Sequence, residues 1–139
     1  MSERKTILDT SAFLALRSDE AGAEVVEDLL RQAEKQKRPV LASFMTRMEL
    51  LYLIRKHEGE SAARQAIAMI GTFNIDWISC EPEILDQATM LKSRGGLSVA
   101  DSWIAATAIV YHATLFHKDP ELCKIAEISQ QFLEAASNE

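Results

Sequence analysis

What most constrains this chain is a repeated alternation. Short apolar runs end in polar or acidic residues, and each is followed by a segment with apolar residues at helical spacing. Thr6-Ile7-Leu8 meets Asp9-Thr10-Ser11, a cluster able to cap a helix, and Ala12 to Leu16 then reads helical. Ala21 to Lys37 places Val25, Val26, Leu29, Leu30 and Ala33 on one face, and Pro39 to Ala42 is a short strand. Ser43 caps a helix from Phe44 to about His57, a further helix covers Glu60 to Thr72, and Asn74 to Ile78 alternates like a half-buried strand. Glu81-Pro82-Glu83 opens a helix that runs to Ser93, with Pro in its first turn. After the Arg94-Gly95-Gly96 loop, Ser98 starts a helix that continues to about Tyr111, and Ala113 to Phe116 forms a fourth strand. His117-Lys118-Asp119-Pro120 reads as a strand-to-helix turn. The tail is expected to hold a short strand near Lys124-Ile125 and a helix through Phe132 and Leu133.

Strands that alternate with helices predict an α/β fold in which a short-stranded parallel sheet is flanked by helices on both faces. At 139 residues the chain fits a single domain, 1–139, because dividing it would leave each half with a marginal core. Five Gly and three Pro are too few for a disordered or collagenous chain. Cys80 and Cys123 lie far apart and outside any Cys/His ligand spacing, which reads as two half-buried reduced thiols in a cytoplasmic protein. Met1 to Lys5 lead into a first strand and not into a signal sequence. The apolar stretch Leu97 to Phe116 contains Asp101 and His112, so a buried helix followed by a strand is expected there and no membrane span.

Parallel sheets gather chemistry at the C-terminal ends of their strands. Asp9 and Asp119 follow strands, while Glu49 and Asp101 lie early in helices that would flank such a sheet. Singly, each has an ordinary reading. Asp9, Asp101 and Asp119 all sit where a helix cap is needed, and Glu49 could be one more exposed helical glutamate. Taken together, the four could share one cleft. Crowded carboxylates repel and raise one another's pKa, so the cluster asks for a hard cation such as Mg²⁺ or Mn²⁺. A cation also answers the net charge: fifteen basic against twenty-one acidic residues leave −6, which disfavours binding a polyanion through a basic surface.

Four segments carry a family resemblance: Ile7-Leu8-Asp9-Thr10-Ser11, Thr46-Arg47-Met48-Glu49-Leu50, Leu97 through Ala108 with Asp101 followed by Ser-Trp-Ile-Ala-Ala-Thr-Ala, and His117-Lys118-Asp119-Pro120. With these motifs in order over nearly its whole length, the chain resembles the PIN-domain ribonucleases, most closely the VapC-type toxins of toxin–antitoxin pairs. The resemblance implies a metal-dependent endoribonuclease in which Asp9, Glu49, Asp101 and Asp119 hold Mg²⁺ or Mn²⁺ at the scissile phosphate and water attacks. Asp9 and Asp101 would be the core ligands. Glu49 would bind directly or through water, Asp119 would complete a second site or orient the nucleophile, and the Ser11 hydroxyl would support the shell. It further implies a homodimer and a cognate antitoxin that enters the acidic cleft.

His117 departs from the pattern, since the family often has Ser or Thr two residues before the last acid. Its two readings are a contact to the acids or to phosphate, and a half-buried strand end. Arg47, Lys92, Arg94 and Lys118 are placed by sequence to guide RNA, with solvated surface charge as the plainer reading. The run Lys35-Gln36-Lys37-Arg38 precedes a strand and should lie away from the cleft. Trp77 and Trp103 have apolar neighbours and read as packing residues before stacking platforms. Two other functions compete: a stand-alone RNA-processing nuclease with no antitoxin, and a non-catalytic Mg²⁺-binding regulatory module. The second expects paired acids near the first strand, where Glu3 is the only acid before Asp9.

Overall fold

The computed structural model describes residues 4–134, so the first three residues and the outer limits of the expected 1–139 domain lie outside it. In chain order the elements are β1 (Lys5–Leu8), α1 (Thr10–Arg17), α2 (Ala23–Gln36), β2 (Val40–Ser43), α3 (Phe44–Glu58) and α4 (Glu60–Ile70). They continue with β3 (Ile75–Ile78), α5 (Pro82–Ser93), α6 (Val99–Val110), β4 (Ala113–His117), a single 3₁₀ turn at Leu122–Lys124, and β5 (Ser129–Phe132). The strands form one parallel sheet in the order β3-β2-β1-β4-β5.

Adjacent strand residues point to opposite faces, and both faces are covered. Ile7, Leu41 and Leu115 pack with Ile84, Leu91 and Ile104 of α5 and α6. Leu8, Val40 and Ala42 pack with Phe13, Val26, Leu50 and Ile70 from α1 to α4. Ile7 and Leu8 are both fully buried, so this two-residue step contributes roughly 2 kcal/mol to each face of the core. No helix among the described residues is long and apolar enough to cross a membrane.

Local caps set where helices begin. The Asp9 carboxylate accepts from the Ala12 amide at 3.0 Å, the Ser43 hydroxyl from the Met45 amide at 3.1 Å, and the Ser98 hydroxyl from the Asp101 amide at 3.0 Å. Helix α2 starts two residues later than the spacing predicts because Gly22 precedes it with φ +94°. A Cβ at Gly22 would come within 2.8 Å of Leu133 Cβ, so glycine also permits the close docking of the C-terminal segment.

The tail corrects two expectations. Where a strand is expected near Lys124-Ile125 the chain makes a 3₁₀ turn, and where a helix is expected through Phe132 the chain forms β5. The open edge of β4 supplies the reason. Ser129 to Phe132 pair in register with Thr114 to His117, and the Thr114 and Ser129 hydroxyls meet at 2.9 Å. Pairing with that edge outweighs the helical preference of Gln130 and Gln131. Cys80 and Cys123, expected half-buried, are both exposed on connecting segments.

Candidate functional site

The chain leaves β1 for β2 and β3 on one side and returns to β4 and β5 on the other, so the winding direction reverses between β1 and β4. Such a reversal opens a crevice beyond the carboxyl ends of the two strands. Asp9 directly follows β1 and Asp119 lies two residues beyond β4. The strand ends are joined there: the Asp9 amide donates to Phe116 O at 3.3 Å. The Ser11 hydroxyl donates to Asp9 Oδ1 at 2.7 Å and accepts the Lys118 amide at 2.8 Å. Ser11 therefore clamps the carboxylate of one strand end to the backbone of the other.

Glu49 comes from α3 and is tied to the same place by a neighbour of Asp9, since Thr10 Oγ1 donates to Glu49 Oε1 at 2.5 Å. Asp101 comes from the first turn of α6, where the carboxylates of Asp119 and Glu49 act on it. Asp119 is held in turn by its own loop: its amide donates to His117 Nδ1 at 3.0 Å, and its Oδ1 accepts the Glu121 amide at 2.9 Å.

The four acids act on one another. Burial pushes the Asp9 carboxyl up to about 7, against the bonds from Ser11 and Ala12, and the charges of Asp101 and Asp119 push it further. Burial also raises Asp101 to about 7, helped by the bond shared with Asp119 and by the charges of Asp119 and Glu49, while Ser98 opposes. Among the described residues no Lys, Arg or His forms an ion pair with any of the four.

This donor set suits a hard divalent ion, because uncompensated carboxylates that hold protons near neutrality gain most from a cation. No three Asp, Glu, His or Cys side chains among the described residues converge closely enough to grip one ion as they stand. That spread suits an ion held by one or two carboxylates with the remaining positions taken by water, which is the ordinary habit of Mg²⁺. Asp101 feels Asp119 and Glu49, and Asp9 feels Asp101 and Asp119.

The other expected residues are less central. Lys118 is half-buried and faces Glu20 at 3.8 Å, and the Arg47 guanidinium lies 5.7 Å over the Trp77 ring. Arg94 pairs with Glu127, and Lys92 Nζ donates to Leu97 O at 2.8 Å, bracing the loop before α6. Trp77 stacks on Phe13 at 6.0 Å and Trp103 meets Phe44 edge-on at 5.1 Å, so both are packing residues. His117 is fully buried at the end of β4 with both ring nitrogens engaged, one by the Asp119 backbone amide and one by Gln130, so it has no free nitrogen to offer a phosphate. Three residues were not singled out beforehand. Thr10 and Gln130 act through side-chain hydrogen bonds across the fold, which leave no sequence signal. Thr46, one turn before Glu49 on α3, carries the one buried side-chain polar atom without a partner among the described residues.

Reversed winding, with acidic residues beyond the strand ends at the reversal, defines an open parallel α/β fold of the kind that binds ligands at that point. The family model described as PIN domain matches residues 6–128, and the chain belongs to that family. Solved structures share its fold. VapBC2 from Rickettsia felis, bound to a DNA fragment from their promoter, superposes with a TM-score of 0.76 at 16% identity, covering 93% of this chain and 98% of that one. A VapC from Mycobacterium tuberculosis described as a sarcin-ricin loop cleaving toxin gives 0.63 at 18% identity over 90% and 99% of the two chains. A toxin-antitoxin complex from Klebsiella pneumoniae gives 0.61 at 22% identity over 88% and 94%. Comparison with curated protein sequences gives no match.

Proposed function

We propose that the chain is a metal-dependent endoribonuclease and the toxin of a toxin–antitoxin pair. The observation that carries this reading is the set of four mutually repelling carboxylates at the β1/β4 reversal, two of them raised to about 7, with no cationic partner among the described residues. Asp9, Asp101 and Asp119, with Glu49 alongside, would hold Mg²⁺ or Mn²⁺. When bound, the ion screens the carboxylates from the phosphodiester and polarises it as a Lewis acid. Asp9 and Asp101 are the core ligands in this reading, and Asp119, fixed on its loop by the His117 ring and the Glu121 amide, completes a second site or orients the attacking water. Ser11 and Thr10 hold Asp9 and Glu49 in place before substrate arrives. Arg47 and Lys118, beside Glu49 and Asp119 in sequence, are the cations we assign to the RNA backbone.

The fold shared with VapBC2, with a toxin-antitoxin complex and with a VapC described as a sarcin-ricin loop cleaving toxin supports the RNA substrate and the antitoxin partner. We read the chain further as a cytoplasmic homodimer on the same family grounds. The test is cleavage of a mixed structured-RNA pool by purified protein with Mg²⁺, Mn²⁺ or EDTA, with Asp9→Asn in parallel. Metal-dependent cuts that vanish in the variant support the assignment. Folded, partner-free protein that cuts under no metal refutes it. Native expression tests the antitoxin separately: a small partner should co-purify, and its absence favours a stand-alone processing nuclease.

A further inference from the structure

His117 is the one residue of the acid site that departs from the family pattern, and its hydrogen bonds run in one direction only. The Asp119 amide can only donate, so His117 Nδ1, 3.0 Å away, must be the unprotonated acceptor. The ring proton is then on Nε2, which donates to Gln130 Oε1 at 2.8 Å. The amide of Gln130 is oriented independently, because its Nε2 donates to Ile125 O at 3.0 Å. A continuous relay thus runs from Asp119 through His117 and Gln130 to Ile125. His117 is fully buried, Phe132 of β5 packs edge-on against its ring at 5.7 Å, and its carbonyl accepts the Leu133 amide at 2.7 Å. The hydrogen-bond partner of Nε2 and the aromatic ring against the imidazole both come from the chain after the acid motifs.

We propose that His117 is a positioning residue for Asp119 and that Gln130 on β5 is its anchor, so that docking of the C-terminal strand sets the geometry of the acidic site. This rests on Asp119 being a working carboxylate of that site. The Asp119 amide is held by His117 and its Oδ1 by Glu121, so the carboxylate that acts on Asp101 is fixed at two points. A partner that displaced β5 would loosen Asp119 without touching it.

Two substitutions separate positioning from bulk packing. In His117→Asn the side-chain oxygen stands where Nδ1 was and can still accept the Asp119 amide, but it does not reach Gln130. In His117→Gln the amide nitrogen reaches toward Gln130 and nothing accepts from Asp119. Mn²⁺ binding followed by electron paramagnetic resonance should weaken by about 10- to 100-fold in His117→Gln, with the larger part of the affinity kept in His117→Asn. Gln130→Leu, a change on the edge strand, should weaken binding in the same direction. Hydrogen exchange of the Asp119 amide in metal-free protein should be slow in the wild type and His117→Asn, and fast in His117→Gln. If all three variants bind Mn²⁺ like the wild type, or if losses follow melting temperature alone, the proposal is overturned. Because metal binding and amide exchange need no RNA, they judge the relay even if the protein proves to cut nothing.

Discussion

Thr10 Oγ1 donates to Glu49 Oε1 at 2.5 Å, joining the first residue of α1 to a carboxylate 39 residues further along the chain. Thr10 is almost completely buried, so this bond forms where water competes poorly. Removing the hydroxyl while keeping the shape isolates its contribution. Thr10→Val should lower RNA cleavage by roughly tenfold and weaken metal binding, at a stability loss of only about 1 kcal/mol. Denaturant unfolding alongside a metal titration reads both. Full metal affinity in the variant would mean that Glu49 needs no tether.

The raised carboxyls make stability depend on pH in a direction opposite to that of salt-bridged acids. Asp9 keeps its proton to about 7 when folded but loses it near its ordinary value of 3.8 when unfolded. Between those values the folded state binds more protons, so stability is greatest at the acidic end and falls as pH rises toward 7. Asp101 adds a change of the same sign. In EDTA, moving from about pH 8 to about pH 5.5 should stabilise the fold by about 2 kcal/mol through Asp9 alone, raising Tm by roughly 5 °C or more. Millimolar Mg²⁺ should flatten the dependence by compensating the charged forms. The buried His117 imidazole, its pKa lowered by burial, opposes this change as pH falls through 6.5, so the comparison is made in His117→Asn, where a Tm that falls on acidification over this range in EDTA would contradict the buried, unpaired state of Asp9.

The sheet and its helices were legible because period-two and helical spacing are local properties, and Asp9, Ser43 and Ser98 stand where their caps are needed. The acids were legible for a related reason, since strand ends and helix starts are the places where a parallel fold must bring distant residues together. The tail was not. Ser129 to Phe132 show no alternation of apolar and polar residues, and their strand character comes from the edge of β4, a partner that sequence spacing does not reveal. The same blindness hid Thr10 and Gln130, whose importance lies in what one side-chain atom meets. It left His117 with two readings until both ring nitrogens had partners.

Asp101→Asn should dissociate activity from stability. The amide removes a charge that sits among Asp119, Glu49 and Asp9. Cleavage should drop by at least about a hundredfold, because a carboxylate assigned to hold the ion is lost. In EDTA near pH 8 the variant should melt above the wild type, since a repelled carboxylate has been replaced by a neutral group of the same shape. A lower melting temperature together with lost activity would make Asp101 a structural residue instead.

Ser11 gives the most discriminating single change, because its hydroxyl serves two partners with different consequences. It donates to Asp9, which stabilises the ionised carboxylate, and it accepts the Lys118 amide. In Ser11→Ala, Asp9 loses a bond that lowers its pKa, so its titration moves to higher pH. The acidic limb of the pH–rate profile should shift to the alkaline side. The Lys118 amide is left without an acceptor, which costs about 1–3 kcal/mol of stability. Ser11→Thr keeps the hydroxyl and should restore the limb. The two effects are read separately, by initial rates across pH at saturating Mg²⁺ and by thermal melting at one pH. A destabilised Ser11→Ala with an unmoved acidic limb would confine Ser11 to joining β1 and β4 and would remove it from the acid site.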